Sequence, residues 1–196
     1  MPGALFVDEA QSLMERRTAR RQTISQRVEA GARIVNDDSE PWVVWCDLNA
    51  EGDALRAAIP GAVEVRGSDD LDTKERRLHD FAAGRIRVLI TKPSIAGFGL
   101  NWQHCARMAF VGVTDSFESY YQSVRRCWRF GQTRSVDVHV FASDREGAVV
   151  ELGRVARARG QRDVAVGDAR QRRQPDRGLG ALAQGRERLL DLDRVQ

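Results

Sequence analysis

Trp42-Val43-Val44-Trp45-Cys46 is a short, continuous apolar run preceded by the breaker Asn36-Asp37-Asp38-Ser39-Glu40-Pro41. A run of that length with no polar alternation suits a strand buried on both faces, as in a parallel sheet covered by helices. The same signal recurs downstream. Ala62-Val63-Glu64-Val65, Val88-Leu89-Ile90-Thr91, Met108 to Val113 and Val136 to Phe141 read as four more strands. Between them lie helical stretches: Ala50 to Ile59, stopped by Pro60-Gly61; a helix capped by Asp72 and stopped at Gly84; and Ser116 to Phe130, ended by Gly131. A further helix is expected from Ser143. Upstream, Leu13, Ile24, Val28, Ala32 and Val35 recur at mostly helical spacing, which predicts a helix over 8–35. Short apolar strands alternating with helices predict an α/β fold, a parallel sheet with helices on both faces. Ligands of such sheets bind beyond the carboxyl ends of the strands.

Composition narrows the function. The chain has 196 residues, 42% hydrophobic and 30% charged, enough to bury a core. No apolar run approaches the roughly 20 residues of a membrane span, so no membrane contact is expected. Cys46, Cys105 and Cys127 match neither zinc-ligand nor disulfide spacing, and no metal site is expected from them. A cytoplasmic setting follows. The net charge of +3 is unevenly placed: residues 1–150 carry 20 basic and 21 acidic side chains, residues 151–196 carry 11 and 7. Any phosphate-binding surface in the main domain must therefore be a local cluster. From Arg154 onward the sequence holds few apolar residues and no aromatic ones, so we expect no strand there and poor order beyond about residue 160. Three parts result: an N-terminal helix (1–38), the α/β domain (39–150), and a helix end with a basic tail (151–196).

The chemistry concentrates in Tyr121-Gln122-Ser123-Val124-Arg125-Arg126-Cys127-Trp128-Arg129-Phe130-Gly131-Gln132. At helical spacing Phe117, Tyr120, Tyr121, Val124 and Trp128 share one stripe, which packs on the sheet. Gln122, Arg125, Arg126 and Arg129 share another. Three guanidiniums so close repel one another unless an anion lies between them, and a polyphosphate suits their forked donors. The competing reading is a solvated face paired with carboxylates.

The order Gln122-x-x-Arg125-Arg126-x-x-Arg129-x-Gly131-Gln132 resembles motif VI of superfamily-two helicases, in particular Swi/Snf-type DNA-dependent ATPases. The resemblance implies a second RecA-like lobe in which Arg126 and Arg129 reach the ATP γ-phosphate across a cleft, with Gln122 beside them. Arg125 departs from the family pattern. The loop Thr91-Lys92-Pro93-Ser94-Ile95-Ala96-Gly97-Phe98-Gly99-Leu100-Asn101 is similar to motif V. It implies nucleotide-coupled roles for Gly97, Gly99 and Asn101, and DNA-backbone contacts by Thr91, Lys92 and Ser94; Pro93 departs from the pattern. Trp42 to Asp47 resembles motif IV. Arg66-Gly67-Ser68, followed by Lys74-Glu75-Arg76, resembles the family's Gly-Ser element, so Gly67 and Ser68 become DNA-phosphate donors, against a plain turn and helix cap. Asp115 stands where the family has an Asp, with capping as its simpler role.

The sequence has no Gly-x-x-x-x-Gly-Lys-Ser/Thr loop and no acidic Mg²⁺ quartet; Asp8-Glu9-Ala10-Gln11 is only superficially like one. The resemblance therefore implies ATP with Mg²⁺ whose metal ligands come from a first lobe, in cis upstream or in trans, and no turnover by this chain alone. DNA would be held through its phosphate backbone. The Trp-rich strand and the Lys92–Trp102 loop resemble bacteriophage and prophage helicases, which implies a bacterial or phage-infected cell. Two other readings stay open: a non-catalytic DNA- or partner-binding module, and a truncated remnant.

Overall fold

The computed structural model describes residue 18 and residues 20–95, 101–113, 116–142 and 164–168. Helix α1 (Ile24–Asn36) leads into β1 (Trp42–Trp45), α2 (Asn49–Ala58), β2 (Val63–Val65), α3 (Leu71–Ala82), β3 (Val88–Thr91), β4 (Arg107–Phe110), α4 (Phe117–Val124), β5 (Asp137–Ala142) and β6 (Val164–Asp168). The strands form one sheet in the order β2-β3-β1-β4-β5-β6. Every pairing is parallel.

The apolar run Trp42–Trp45 is the centre of this sheet. Trp42–Trp45 pairs with Val88–Thr91 on one side and with Arg107–Phe110 on the other. Successive strand residues point to opposite faces, and the core divides accordingly. Val43 and Trp45 join Phe81 of α3, Tyr120 of α4, Trp102 and Met108 in one apolar layer. Trp42, Val44 and Cys46 join Val28 and Val35 of α1 and Leu55 of α2 in the other. A strand that feeds two cores cannot alternate with polar residues, which is why it reads as unbroken apolar sequence.

The predicted elements are present with revised ends. Gly61 and Gly84 take positive φ, 74° and 73°, just beyond α2 and α3, where a side chain would strain the turn. The cap of α3 is Asp70 rather than Asp72: its carboxylate accepts from Thr73 N at 2.7 Å, which leaves Asp72 in the first turn. Strand β4 ends at Phe110 rather than Val113, because the N–H groups of Val111 and Gly112 converge on one carbonyl, that of Trp45, and the backbone bends. The helix expected over 8–35 is described from Ile24, with a turn at Thr23 separating it from helical backbone at 20–22; most of its earlier part lies outside the described residues, as does the helix expected from Ser143.

Two corrections bear more weight. Val164–Asp168 is a strand on the sheet edge, paired with Val138–Ala142, where the composition of the tail led us to expect none. A five-residue Val-Ala-Val-Gly-Asp segment is too short to register in the composition of forty residues, and an edge position asks for little apolar content. The second correction is α4, which stops at Val124 rather than running to Phe130. The Ser123 hydroxyl donates to Ser119 O at 2.7 Å. The N–H groups of Arg126 and Cys127 then bond three residues back, to Ser123 and Val124, and the helix tightens into turns. Arg126 and Arg129 therefore do not share a helix face; they sit on a compact turn beyond the helix.

Candidate functional site

At the carboxyl ends of β1 and β3 the chain leaves a cleft of about 300 Å³, lined by Trp45, Pro93, Ser116, Gln122, Ser123 and Arg126 among others. Each lining residue is placed by a local reason. Trp45 ends the central strand. Pro93 begins the turn after β3, whose Ile95 N–H returns to Lys92 O at 3.0 Å. Ser116 caps α4, accepting from Ser119 N at 3.2 Å, and this cap points the helix start at the cleft. Gln122 lies on the exposed face of α4, and Arg126 is half-buried two residues past its end. Glu118 also reaches the rim.

Burial, and after it the neighbouring Arg129 charge, holds the Arg126 guanidinium below its ordinary pKa. Two cations that disfavour each other beside a cleft make a place where an anion is welcome. Arg129 is exposed, and its Nη1 donates to Asn101 Oδ1. Arg125 turns elsewhere: its guanidinium lies 5.3 Å from the Trp128 ring centroid, a cation–π contact. The guanidiniums of Arg125 and Arg129 thus have different engagements.

The turn that carries them is tied to the segment following the glycine loop. Trp102 N donates to Arg126 O at 2.9 Å, Gln103 Nε2 donates to Phe130 O, and Gln132 Nε2 donates to the carbonyls of Gln103, Cys105 and Cys127 at 2.9, 3.1 and 3.3 Å. Gly131 has φ 93°, and a Cβ on it would lie 2.9 Å from Gln103 Nε2. Sequence reading placed Gln132 in a motif without a task, and it passed over Gln103 altogether.

The remaining candidates divide. Gly97 and Gly99 lie outside the described residues. Lys92 is half-buried and Ser94 exposed, both just past β3. Thr91 is a correction: it is completely buried and its hydroxyl donates to Val65 O at 3.2 Å, so it stitches β3 to β2 and does not face a phosphate. Gly67 and Ser68 are exposed, but the cations near them are engaged. Lys74 Nζ donates to Gly67 O at 2.6 Å. Arg66 pairs with Asp53 and Glu64, whose hydrogen bonds raise its pKa further. Arg77 meets Asp69 at 2.9 Å. Among the described residues, no group of three or more His, Cys, Asp or Glu side chains is placed to hold a metal ion, and no helix is long and apolar enough to cross a membrane.

Residues 48–131 match the helicase conserved C-terminal domain. That span runs from the cap of α2 to the glycine of the arginine turn, and contains every described lining residue of the cleft except Trp45. Solved structures with the same fold include the C-terminal part of the Fun30 ATPase domain, 16% identical with a TM-score of 0.56 over 66% of this chain and 45% of that one. The C-terminal domain of the DEAD-box protein Dbp5 is 15% identical with a TM-score of 0.57, over 72% of this chain and 83% of that one. S. cerevisiae Dbp5 bound to RNA and ADP BeF3 is 15% identical with a TM-score of 0.59, over 77% of this chain and 39% of that one. The chain thus spans less than half of the Fun30 chain and of the RNA-bound Dbp5 chain. No curated protein matches it. The fold matches that of RecA-like C-terminal helicase domains.

Proposed function

We propose that this chain, through residues 39–150, supplies the second RecA-like lobe of an ATP-dependent DNA translocase of the Swi/Snf type. The observation that carries the reading is the placement of Arg126 and Gln122 on one cleft, with Arg129 held nearby by Asn101 at the end of the glycine loop. A nucleotide polyphosphate suits this site because its negative charge offsets the repulsion between Arg126 and Arg129 and meets the capped start of α4. Mg²⁺ would neutralise phosphate charge there, held by carboxylates of a first lobe, in cis upstream or in trans.

This lobe's own work is then electrostatic. Arg126 is already partly desolvated, so its charge would act strongly on phosphate oxygens brought against it. Arg129 would exchange Asn101 for a phosphate oxygen as the lobes close. Lys92, Ser94, Gly67 and Ser68 are the proposed DNA-backbone contacts, a sequence-independent grip. Gly97 and Gly99 are the proposed close-approach positions of the loop. The proposed setting is the cytoplasm of a bacterial or phage-infected cell.

The test supplies a matching first lobe, fused or in trans, and measures ATP turnover with duplex DNA and with RNA. Arg126→Ala and Arg129→Ala should each lower DNA-stimulated kcat at least about 100-fold, roughly 2.7 kcal/mol, with a much smaller change in KM. Near-normal kcat in both variants of an active assembly would reject the arginine assignment and favour a binding module. Stimulation by RNA but not DNA would reject the DNA assignment.

A further inference from the structure

We propose that Gln132 is a positioning residue for the arginine turn, tying it to the segment 101–106 so that the two move as one body. This rests on the reading of Arg126 and Arg129 as phosphate-binding groups, and adds to it the part that aims them.

The geometry leaves the amide one orientation. Gln132 Nε2 faces three carbonyls, of Gln103, Cys105 and Cys127, at 2.9 to 3.3 Å. Its Oε1 faces a donor, Arg134 N, at 3.0 Å. A flipped amide would set oxygen against three acceptors and nitrogen against an N–H, so only the observed placement satisfies both ends. Two of the carbonyls belong to the segment after the glycine loop, and the third, Cys127, lies between Arg126 and Arg129. One side chain therefore spans the junction between the two segments.

The neighbouring contacts fit the same task. The Arg126 carbonyl is held by Trp102 N at 2.9 Å, and Trp102 is completely buried. Gln103 returns the link by donating to Phe130 O. Cys105 and Cys127 are both buried, and the Cys105 thiol donates to the carbonyls of Pro41 and Arg107 at 3.2 Å. The Gln132 backbone N–H closes the turn onto Arg129 O at 2.9 Å. Neither Gln132 nor Gln103 lines the cleft, so both act through the arginines rather than on a ligand. A rigid junction matters because catalytic alignment is steep in distance: a shift of roughly 1 Å can cost about 100-fold in rate.

Gln132→Met keeps the side chain's length and removes both its donors and its acceptor; Gln103→Ala removes the reciprocal tie. The first measurement uses the full chain alone: amide hydrogen exchange at Trp102, whose N–H bonds the turn. Gln132→Met should speed that exchange at least about tenfold, while Val43 and Leu89 in the central strands stay protected. The second uses the two-lobe assembly. Gln132→Met should lower DNA-stimulated kcat about 10- to 100-fold with KM for ATP within about twofold, and Gln103→Ala should shift it in the same direction by less. Unchanged Trp102 exchange overturns the proposal whatever the activity. So does unchanged kcat in Gln132→Met when Arg126→Ala abolishes turnover, and in that case the functional reading stands. Should Arg126→Ala keep full turnover, the functional reading fails, and the arginines are not what Gln132 aims. If Gln132→Met exposes Val43 and Leu89 as well, Gln132 holds the fold rather than the junction, and the proposal is overturned.

Discussion

Arg27 and Glu51 meet at 2.6 Å with both side chains closed off from solvent. Arg27 lies on α1, the helix that precedes the sheet, and Glu51 in the first turn of α2. Every nitrogen of the guanidinium is used: Nε to Thr23 Oγ1 at 3.2 Å, Nη1 to Val111 O and Glu51, Nη2 to Arg20 O at 2.6 Å. Glu51 Oε2 accepts from the backbone N–H groups of Asp47 and Leu48 at 2.8 and 3.0 Å. Leu48 has no side-chain acceptor of its own, so this carboxylate caps α2. The pair thus fixes α1, the β1–α2 loop and the chain beyond β4 to one another at the carboxyl edge of the sheet.

A buried charge left without its partner is costly, about 3–5 kcal/mol. Arg27→Met should lose stability on that scale in urea unfolding. Adding Glu51→Gln should win part of it back, since glutamine removes the stranded charge and keeps an oxygen for the Asp47 and Leu48 N–H groups. A double variant no more stable than Arg27→Met would show that Glu51 carries no buried charge.

Gly112 makes room for the same carboxylate. A Cβ there would overlap Glu51 and stand 2.6 Å from Asp47 N, and both neighbours are fixed by the hydrogen bonds just named. Gly112→Ala should therefore destabilise by the roughly 1–3 kcal/mol typical of overpacking or more, read as a lower urea midpoint with an unchanged slope. Gly67→Ala, where a Cβ meets nothing within 4 Å, is the control and should stay close to wild type.

What the sequence showed and what it hid differ in kind. Trp42–Trp45, Val88–Thr91 and the Gly61 and Gly84 stops were legible because each is decided locally, by an apolar run or by a backbone conformation. Arg27 was not: among the charged residues of α1 it looks like any solvated arginine, and only Glu51 and Val111, from distant positions, give its buried guanidinium partners. The site was half legible. Gln122 and Arg126 do share a cleft, but the end of α4 at Val124 turns on hydrogen bonds that periodicity does not encode. Thr91 misled because its neighbours suited a phosphate loop while its own hydroxyl belonged to the sheet. The strand at Val164–Asp168 was hidden by the composition around it.

The thiols give a pH prediction. Burial, then the Glu51 and Glu64 charges, pushes Cys46 from an ordinary 9.0 up to about 12. In the unfolded chain the thiol ionises near its ordinary value, whereas in the fold it stays protonated. Its contribution to stability is present below about pH 9, declines as pH rises above that, and is lost by about pH 12. Cys46→Ala or Cys46→Ser should therefore flatten the alkaline loss of stability between those limits. Equal slopes in wild type and variant would contradict the assignment. All three cysteines are buried, so an aromatic disulfide reagent at pH 8 should label none rapidly until denaturant is added.

Arg125 separates charge from position. It is exposed, and its guanidinium rests over Trp128 rather than on the cleft. Arg125→Ala should cost about 0.5–1 kcal/mol of stability and leave kcat of the two-lobe assembly within a few-fold of wild type. A loss as deep as that expected for Arg126→Ala would mean that total positive charge, not placement, governs the site.

The strand order carries a temporal consequence. β1 is the first strand of the sheet to leave the ribosome, yet both its partners, Val88–Thr91 and Arg107–Phe110, are made later. Trp42, Val43, Val44 and Trp45 must stay unpaired while some forty further residues are added on one side and sixty on the other, with roughly 5–20 residues added per second. No hairpin shortens that delay, since every neighbour in the sheet is parallel and distant along the chain, the arrangement that folds most slowly. For several seconds the nascent protein presents its two-tryptophan strand to whatever is nearby, and its yield in a cell will depend on what meets that strand first.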